Sequence, residues 1–157
     1  MKKMVIIYYS RTGNTEEMAG FIAEGASGRD DIEVKVTGVD DFDVNSLTEY
    51  DCIVMGSPTY YGSMAGALKD LLDRTVKFHG QLDGRVGGAF ASAANIGGGN
   101  ETTVCDILNA LLVHGMIVQG NPQGDHYGPV SIGKPDNRVK NQCRQYGERL
   151  AVLTGKV

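Results

Sequence analysis

Six consecutive residues near the N-terminus, Ser10-Arg11-Thr12-Gly13-Asn14-Thr15, have the chemistry to hold an anion. Three hydroxyls and the Asn14 amide supply four side-chain donors, and Gly13 permits the tight curvature that aims backbone N–H groups inward. An apolar run, Met4-Val5-Ile6-Ile7-Tyr8-Tyr9, precedes them and a helical pattern follows at once. The free N–H groups of a helix N-terminus then complete a cup for a phosphate. A helix cap needs only one Ser or Thr, and six polar or glycine residues in a row exceed that need. Neither GxxxxGK[ST] nor GxGxxG occurs, so the cup is neither a nucleoside-triphosphate loop nor a dinucleotide fingerprint.

Other reactive residues are scattered. His79, His114 and His126 share no metal-ligand spacing. His114 closes a helical pattern, where the C-terminal dipole favours a protonated imidazole. Surface loops are the default for His79 and for the Asp125-His126-Tyr127-Gly128 turn, though either could line a substrate entrance. Three cysteines, Cys52, Cys105 and Cys143, are an odd number without CxxC and read as reduced thiols of a cytoplasmic protein. Cys143 and Arg149 have phosphatase C-x5-R spacing but sit in a helical pattern without loop glycines. No GxSxG nucleophile elbow is present.

The elements that must position the cup alternate between strand and helix character. Strand patterns occur at Met4–Tyr9, Ile32–Val36, Asp51–Gly56, Arg85–Ala91 and Met116–Val118. Apolar residues at helical spacing mark Thr15–Ala26, Leu68–Thr75, Val104–Leu112 and Val139–Ala151. Alternation of this kind predicts an α/β fold, a doubly wound five-stranded parallel sheet with helices on both faces. Right-handed crossovers make 2-1-3-4-5 the natural strand order, with a ligand at the carboxyl ends of strands one and three. The 157 residues suit a single domain, 1–157. A net charge of −4 argues against a nucleic-acid partner, and no apolar run is long enough to span a membrane. Glycine, at 22 residues, is about twice its average usage.

The string Ser10 to Thr15 fits [ST]-x-[ST]-G-N-[ST], the pattern with which flavodoxins hold the phosphate of FMN. With Gly56-Ser57-Pro58-Thr59-Tyr60-Tyr61-Gly62 after the third strand, the chain resembles a flavodoxin-like FMN protein. The stretch Gly56 to Thr75, the run Gly97-Gly98-Gly99-Asn100-Glu101-Thr102-Thr103 and His114-Gly115-Met116 are similar to WrbA-type NAD(P)H:quinone oxidoreductases. The phosphate loop, however, is of the flavodoxin kind, the chain is shorter than typical WrbA proteins, and it has no tryptophan to supply their aromatic wall.

The resemblance implies FMN as cofactor and assigns it residues. Ser10, Arg11, Thr12, Gly13, Asn14 and Thr15 would meet the phosphate. Pro58, Thr59, Tyr60, Tyr61 and Gly62 would meet the ring, with Pro58 stiffening the loop and the tyrosines offering flat surfaces. Gly62 could turn its peptide towards or away from the flavin N5. Ser92, Ala93, Ala94, Asn95, Gly97, Gly98 and Gly99 form a third loop without an aromatic residue. Its backbone N–H groups would serve the pyrimidine edge and leave the outer ring face open. His114 matches the family histidine beside the FMN ring.

Two functions follow. In one, FMN takes hydride from NAD(P)H and passes electrons to a small-molecule quinone; an open face suits the stacked near-attack geometry this needs. In the other, the protein carries single electrons between redox proteins, for which the acidic run Asp40-Asp41-Phe42-Asp43 would be a docking feature. The WrbA-like stretches favour the enzyme. The resemblance further implies a homodimer or homotetramer. Response regulators share this winding, but the acidic residues they require are replaced by Ser10-Arg11 and Gly56-Ser57-Pro58.

Overall fold

Met4 to Ile7 and Cys52 to Ser57 are buried without interruption, as strands covered on both faces must be. The structure, a computed structural model, describes residues 1–157. In chain order its elements are β1 (Lys2–Tyr8), α1 (Asn14–Ala26), β2 (Ile32–Gly38), β3 (Cys52–Tyr60), β4 (Ser63–Met64), α2 (Gly66–Arg74), β5 (Val86–Ala93), α3 (Asn100–Val113), β6 (Ile117–Val118), β7 (Val130–Ile132) and α4 (Asn137–Thr154). Short 3-10 turns occupy Val44–Glu49 and Thr75–Phe78.

The parallel sheet runs β2-β1-β3-β5-β6, which is the expected winding. Its register places Met4 opposite Cys52 and Cys52 opposite Val86. Two features depart from the sequence expectation. β3 continues through Pro58 to Tyr60, because β5 still runs alongside it, with Ser92 opposite Pro58, after β1 has ended at Tyr8 opposite Gly56. It then folds back into β4. The fifth position is also broken. β6 pairs with Val86 and Gly87 and β7 with Ala91 to Ala93, so both lie along β5 with residues 119–129 looping out between them. In the gap, the Ala89 N–H donates to the Tyr146 hydroxyl at 3.0 Å, which satisfies a backbone donor that no strand reaches. Burial holds that phenol above its ordinary pKa and therefore protonated.

Strand side chains alternate between two cores. Met4, Ile6, Cys52 and Val54 meet Met18 and Ile22 of α1 and Val139, Cys143 and Leu150 of α4. Val5, Ile7, Ile53 and Met55 meet Leu68 and Leu71 of α2 and Val104, Ile107 and Leu111 of α3. α1 and α4 touch through glycines. A Cβ on Gly25 would overlap the Arg144 backbone, and one on Gly147 the Ile22 carbonyl. The three cysteines are free, and burial pushes the Cys52 and Cys143 thiols up to about 12. No helix is long and apolar enough to cross a membrane.

Candidate functional site

β1, β3 and β5 end on the same side of the sheet, and their carboxyl ends frame a cleft of about 350 Å³. It opens where the winding reverses, the usual ligand position in such sheets. Ser10, Arg11, Thr12, Asn14 and Thr15 line one wall, Pro58, Thr59 and Tyr60 a second, and Ser92, Ala93 and Ala94 a third. Gly133, beyond β7, completes the lining.

The first wall is rich in uncommitted donors. Gly13 caps α1 in a left-handed conformation, φ 99°, without a side-chain cap, and its N–H donates to Ser10 Oγ at 3.1 Å. The first helical hydrogen bond is Glu17 N–H to the Gly13 carbonyl, so the amides of Asn14, Thr15 and Glu16 have no acceptor within the chain. The side chains of Arg11, Thr12 and Asn14 also make no hydrogen bond within it. Thr15 Oγ1 lies 3.0 Å from Ser92 Oγ, and both residues are buried. That contact uses one of their two hydroxyl protons and leaves the other for a ligand. Glu16 is engaged by the Tyr8 hydroxyl at 2.9 Å. Burial, reinforced by Glu16, raises the Tyr8 pKa, so the phenol stays a donor.

The second wall is braced from behind. Ser57 Oγ accepts from Ala65 N–H at 2.8 Å and donates to the Pro58 carbonyl at 2.7 Å. Tyr60 stands edge-on to Tyr9, with centroids 6.4 Å apart. Tyr61 and Gly62 form a two-residue hairpin turn with φ 52° and 77°. This mirror-image turn favours Asn-Gly. A tyrosine at its first position is strained by about 1 kcal/mol, yet its ring is wholly exposed.

Several expected residues border the cleft instead of lining it: Gly13, Tyr61, Gly62, Asn95, Gly97, Gly98 and Gly99. Asn95 and Gly97 are exposed, and Gly98 N–H donates to the Asn95 carbonyl at 3.1 Å, so that amide closes the loop on itself and is not free for a ligand. Gly99 caps α3 at φ 106°, where a Cβ would come within 2.8 Å of Gly62 Cα. The second and third loops therefore touch backbone to backbone. Gly133 escaped the sequence reading, although Val130-Ser131-Ile132 followed by glycine carries a short strand-and-turn signal.

His114 is a correction. It ends α3 on the far side of the sheet, about 20 Å from the cleft by the rise of a 14-residue helix. There it lines a separate groove with His79, Thr75, Lys69 and Asp73. The expected pull of the helix dipole towards the charged form is not what prevails there either. Burial, and then the neighbouring His79, lower its pKa. Thr75 Oγ1 donates to the Leu72 carbonyl at 2.6 Å and so accepts from His114 Nε2–H at 2.8 Å, which leaves Nδ1 buried without a partner. His79 thus also lies away from the entrance. Asp125, His126 and Tyr127 line a small separate pocket, and Asp125 is structural, accepting from Val130 N–H and pairing with Arg138.

The family model for NADPH-dependent FMN reductases matches residues 44–124. A flavodoxin of Clostridium saccharobutylicum is 37% identical, with 95% of each chain covered. The chain belongs to the flavodoxin-like FMN proteins. An NAD(P)H dehydrogenase (quinone) of Chromohalobacter salexigens is also 37% identical, covering 100% of this chain and 99% of its own. That alignment runs over 199 positions, so the relative has segments this flavodoxin-like chain lacks. Among solved structures, a WrbA-like flavodoxin from Agrobacterium tumefaciens superposes with TM-score 0.85 at 23% identity over 99% of both chains. Flavodoxin 1 of Bacillus cereus does so with 0.80 at 25% identity over 97% and 98%. The donor chemistry fits such a cofactor. Free amides at a helix N-terminus, hydroxyls and an arginine suit a phosphate monoester, and Tyr60 and the small third wall suit a flat ring.

Proposed function

We propose that the chain is an FMN-dependent oxidoreductase that takes electrons from NAD(P)H and delivers them to a quinone-type acceptor. The observation carrying this reading is the third wall: Ala93 and Ala94, with Gly133 beside them, put no aromatic side chain over the cleft. A flat ring resting there would keep one face free for a second flat ring, the arrangement direct hydride transfer requires. The match to the NADPH-dependent FMN reductase family and the likeness to the NAD(P)H dehydrogenase (quinone) of Chromohalobacter salexigens support the same reading.

Bound FMN supplies the chemistry, accepting hydride and releasing electrons. The chain's own residues bind and orient. Ser10, Thr12, Asn14 and Thr15, with the free amides of Asn14 to Glu16, hold the phosphate, and Arg11 adds charge at the rim. Pro58, Thr59 and Tyr60 would hold the ring on one side. Tyr61 and Gly62 at the hairpin tip, and Asn95 and Gly97 to Gly99 on the loop opposite, would flank it without lining the cleft.

A second reading, a one-electron carrier between redox proteins, is favoured by one observation. The chain matches a flavodoxin at nearly equal length, whereas the quinone relative has additional segments. An anaerobic experiment separates the two. Protein loaded with FMN and given NADH or NADPH is expected to bleach in the flavin band within minutes, followed by turnover with a benzoquinone. Loaded protein that neither nucleotide bleaches would be a carrier.

A further inference from the structure

Asn100, the first residue of α3, is 4% exposed and does not line the cleft, yet it reaches two of its walls. Its Nδ2 donates to the Ser131 carbonyl at 3.1 Å, and its Oδ1 accepts from the Thr59 hydroxyl at 3.4 Å. This orientation is forced, because a carbonyl oxygen only accepts and the amide NH₂ must face it. Thr103 Oγ1 also lies 3.1 Å from the Thr59 hydroxyl, but its single proton is claimed by the Gly99 carbonyl at 2.9 Å. Donation through Asn100 therefore runs one way, from Thr59 to Asn100 to Ser131. Both outer links meet the cleft. Thr59 lines it directly. Ser131 Oγ donates to the Gly133 carbonyl at 2.8 Å, while Gly133 N–H donates to the Ala93 carbonyl at 2.8 Å.

We propose that Asn100 is a positioning residue of the flavin site, whose side-chain amide sets the separation between the second loop and the end of β7. The proposal rests on the reading of the cleft as an FMN site. An amide of this length, with its donor and its acceptor on separate atoms, satisfies both partners here. An aspartate would turn an acceptor towards the Ser131 carbonyl unless protonated, and an aliphatic residue would leave the buried Ser131 carbonyl without this donor. Asn100 stands behind the cleft, so its substitution acts through Thr59 and Gly133, not through lost contact with the ligand.

The test compares Asn100→Asp and Asn100→Ser with wild type, with folding of each apoprotein checked by circular dichroism. FMN dissociation constants are measured by fluorescence quenching at about pH 8 and about pH 5, and the midpoint potential of the bound flavin is measured alongside. Near pH 8 the Asp variant is expected to bind roughly ten-fold more weakly than wild type, the scale of one lost hydrogen bond. Near pH 5 the ratio of variant to wild type should narrow, since a protonated carboxyl again donates to Ser131. The Ser variant, too short for both partners, should be weakened by a similar factor at both pH values and shift the potential. It carries the test if the Asp variant does not fold. Wild-type affinity and potential in the Ser variant, or a ratio for the Asp variant that does not narrow, overturns the proposal. Wild type that itself fails to bind FMN overturns the underlying reading and the proposal with it.

Discussion

The two sides of the cleft spend their polar groups differently. On the α1 side, the Arg11, Thr12 and Asn14 side chains and three first-turn amides have no partner within the chain. On the α3 side, nearly every polar group is used internally. Thr102 Oγ1 donates to the Gly62 carbonyl at 2.6 Å, Ser63 Oγ to Asp106 at 2.6 Å, and Asn100 bridges Thr59 and Ser131. One side is left ready for a ligand and the other holds loops in place. Free donors at a helix N-terminus remain solvated without a ligand, whereas donors in a buried network must be paired for the fold to form. Substitutions on the first side should therefore cost affinity alone. Those on the second should cost stability as well.

The largest effect is expected from Gly99→Val. Its φ of 106° lies where side chains are strained, and a Cβ would press on Gly62 Cα at 2.8 Å. Strain of about 3 kcal/mol in the apoprotein corresponds to a fall in melting temperature of roughly 6–12 °C for a chain of this size. Thermal denaturation without FMN measures it. An unchanged melting temperature would mean the two loops separate easily, and the contrast between the sides would fail.

The same contrast governs how much the sequence disclosed. Ser10 to Thr15 is contiguous, so its composition and its place between a strand and a helix marked a donor-rich loop, the basis for proposing a phosphate cup, without tertiary knowledge. The winding was legible for a similar reason, since buried parallel strands are unbroken apolar runs. The α3 side depends on residues far apart in sequence. Asn100 works only because β7 brings Ser131 beside it, and Val130–Ile132 is too short for its periodicity to stand out from the neighbouring glycines and prolines. Gly133 was missed with it. His114 was misplaced because likeness of a tripeptide says nothing about which end of α3 faces the cleft, and because burial there outweighs the helix dipole.

On the ligand side, Thr12→Ala and Asn14→Ala should each weaken FMN by about 1–3 kcal/mol, the scale of a hydrogen bond to a charged group. Each apoprotein should melt with wild type, since neither side chain is bonded within the chain. Titration of FMN into each variant, with riboflavin as the control lacking a phosphate, checks both halves. Riboflavin should bind wild type and variants alike. A variant that lost riboflavin and FMN equally would be perturbing the ring site, and the division of labour across the cleft would dissolve.

The smallest effect lies at the opposite end of α3 and tests whether His114 belongs to the fold or to the site. Its folded pKa is lowered by burial and by His79, so below the ordinary histidine value of about 6.5 the unfolded chain binds a proton more readily than the folded one. Stability then rises with pH, is fully present above that value, and is lost as acidification charges the unfolded form. Lys69, Asp73 and His79 share the groove, but none of them hydrogen-bonds to His114 Nδ1, which has no partner. His114→Gln keeps an amide donor for Thr75 and removes the titration. Between about pH 8 and about pH 5, the melting temperature of wild type should fall further than that of the variant. FMN affinity should be the same in both. Parallel melting curves would assign the acid sensitivity to other groups, and a loss of FMN affinity would bring His114 back to the flavin.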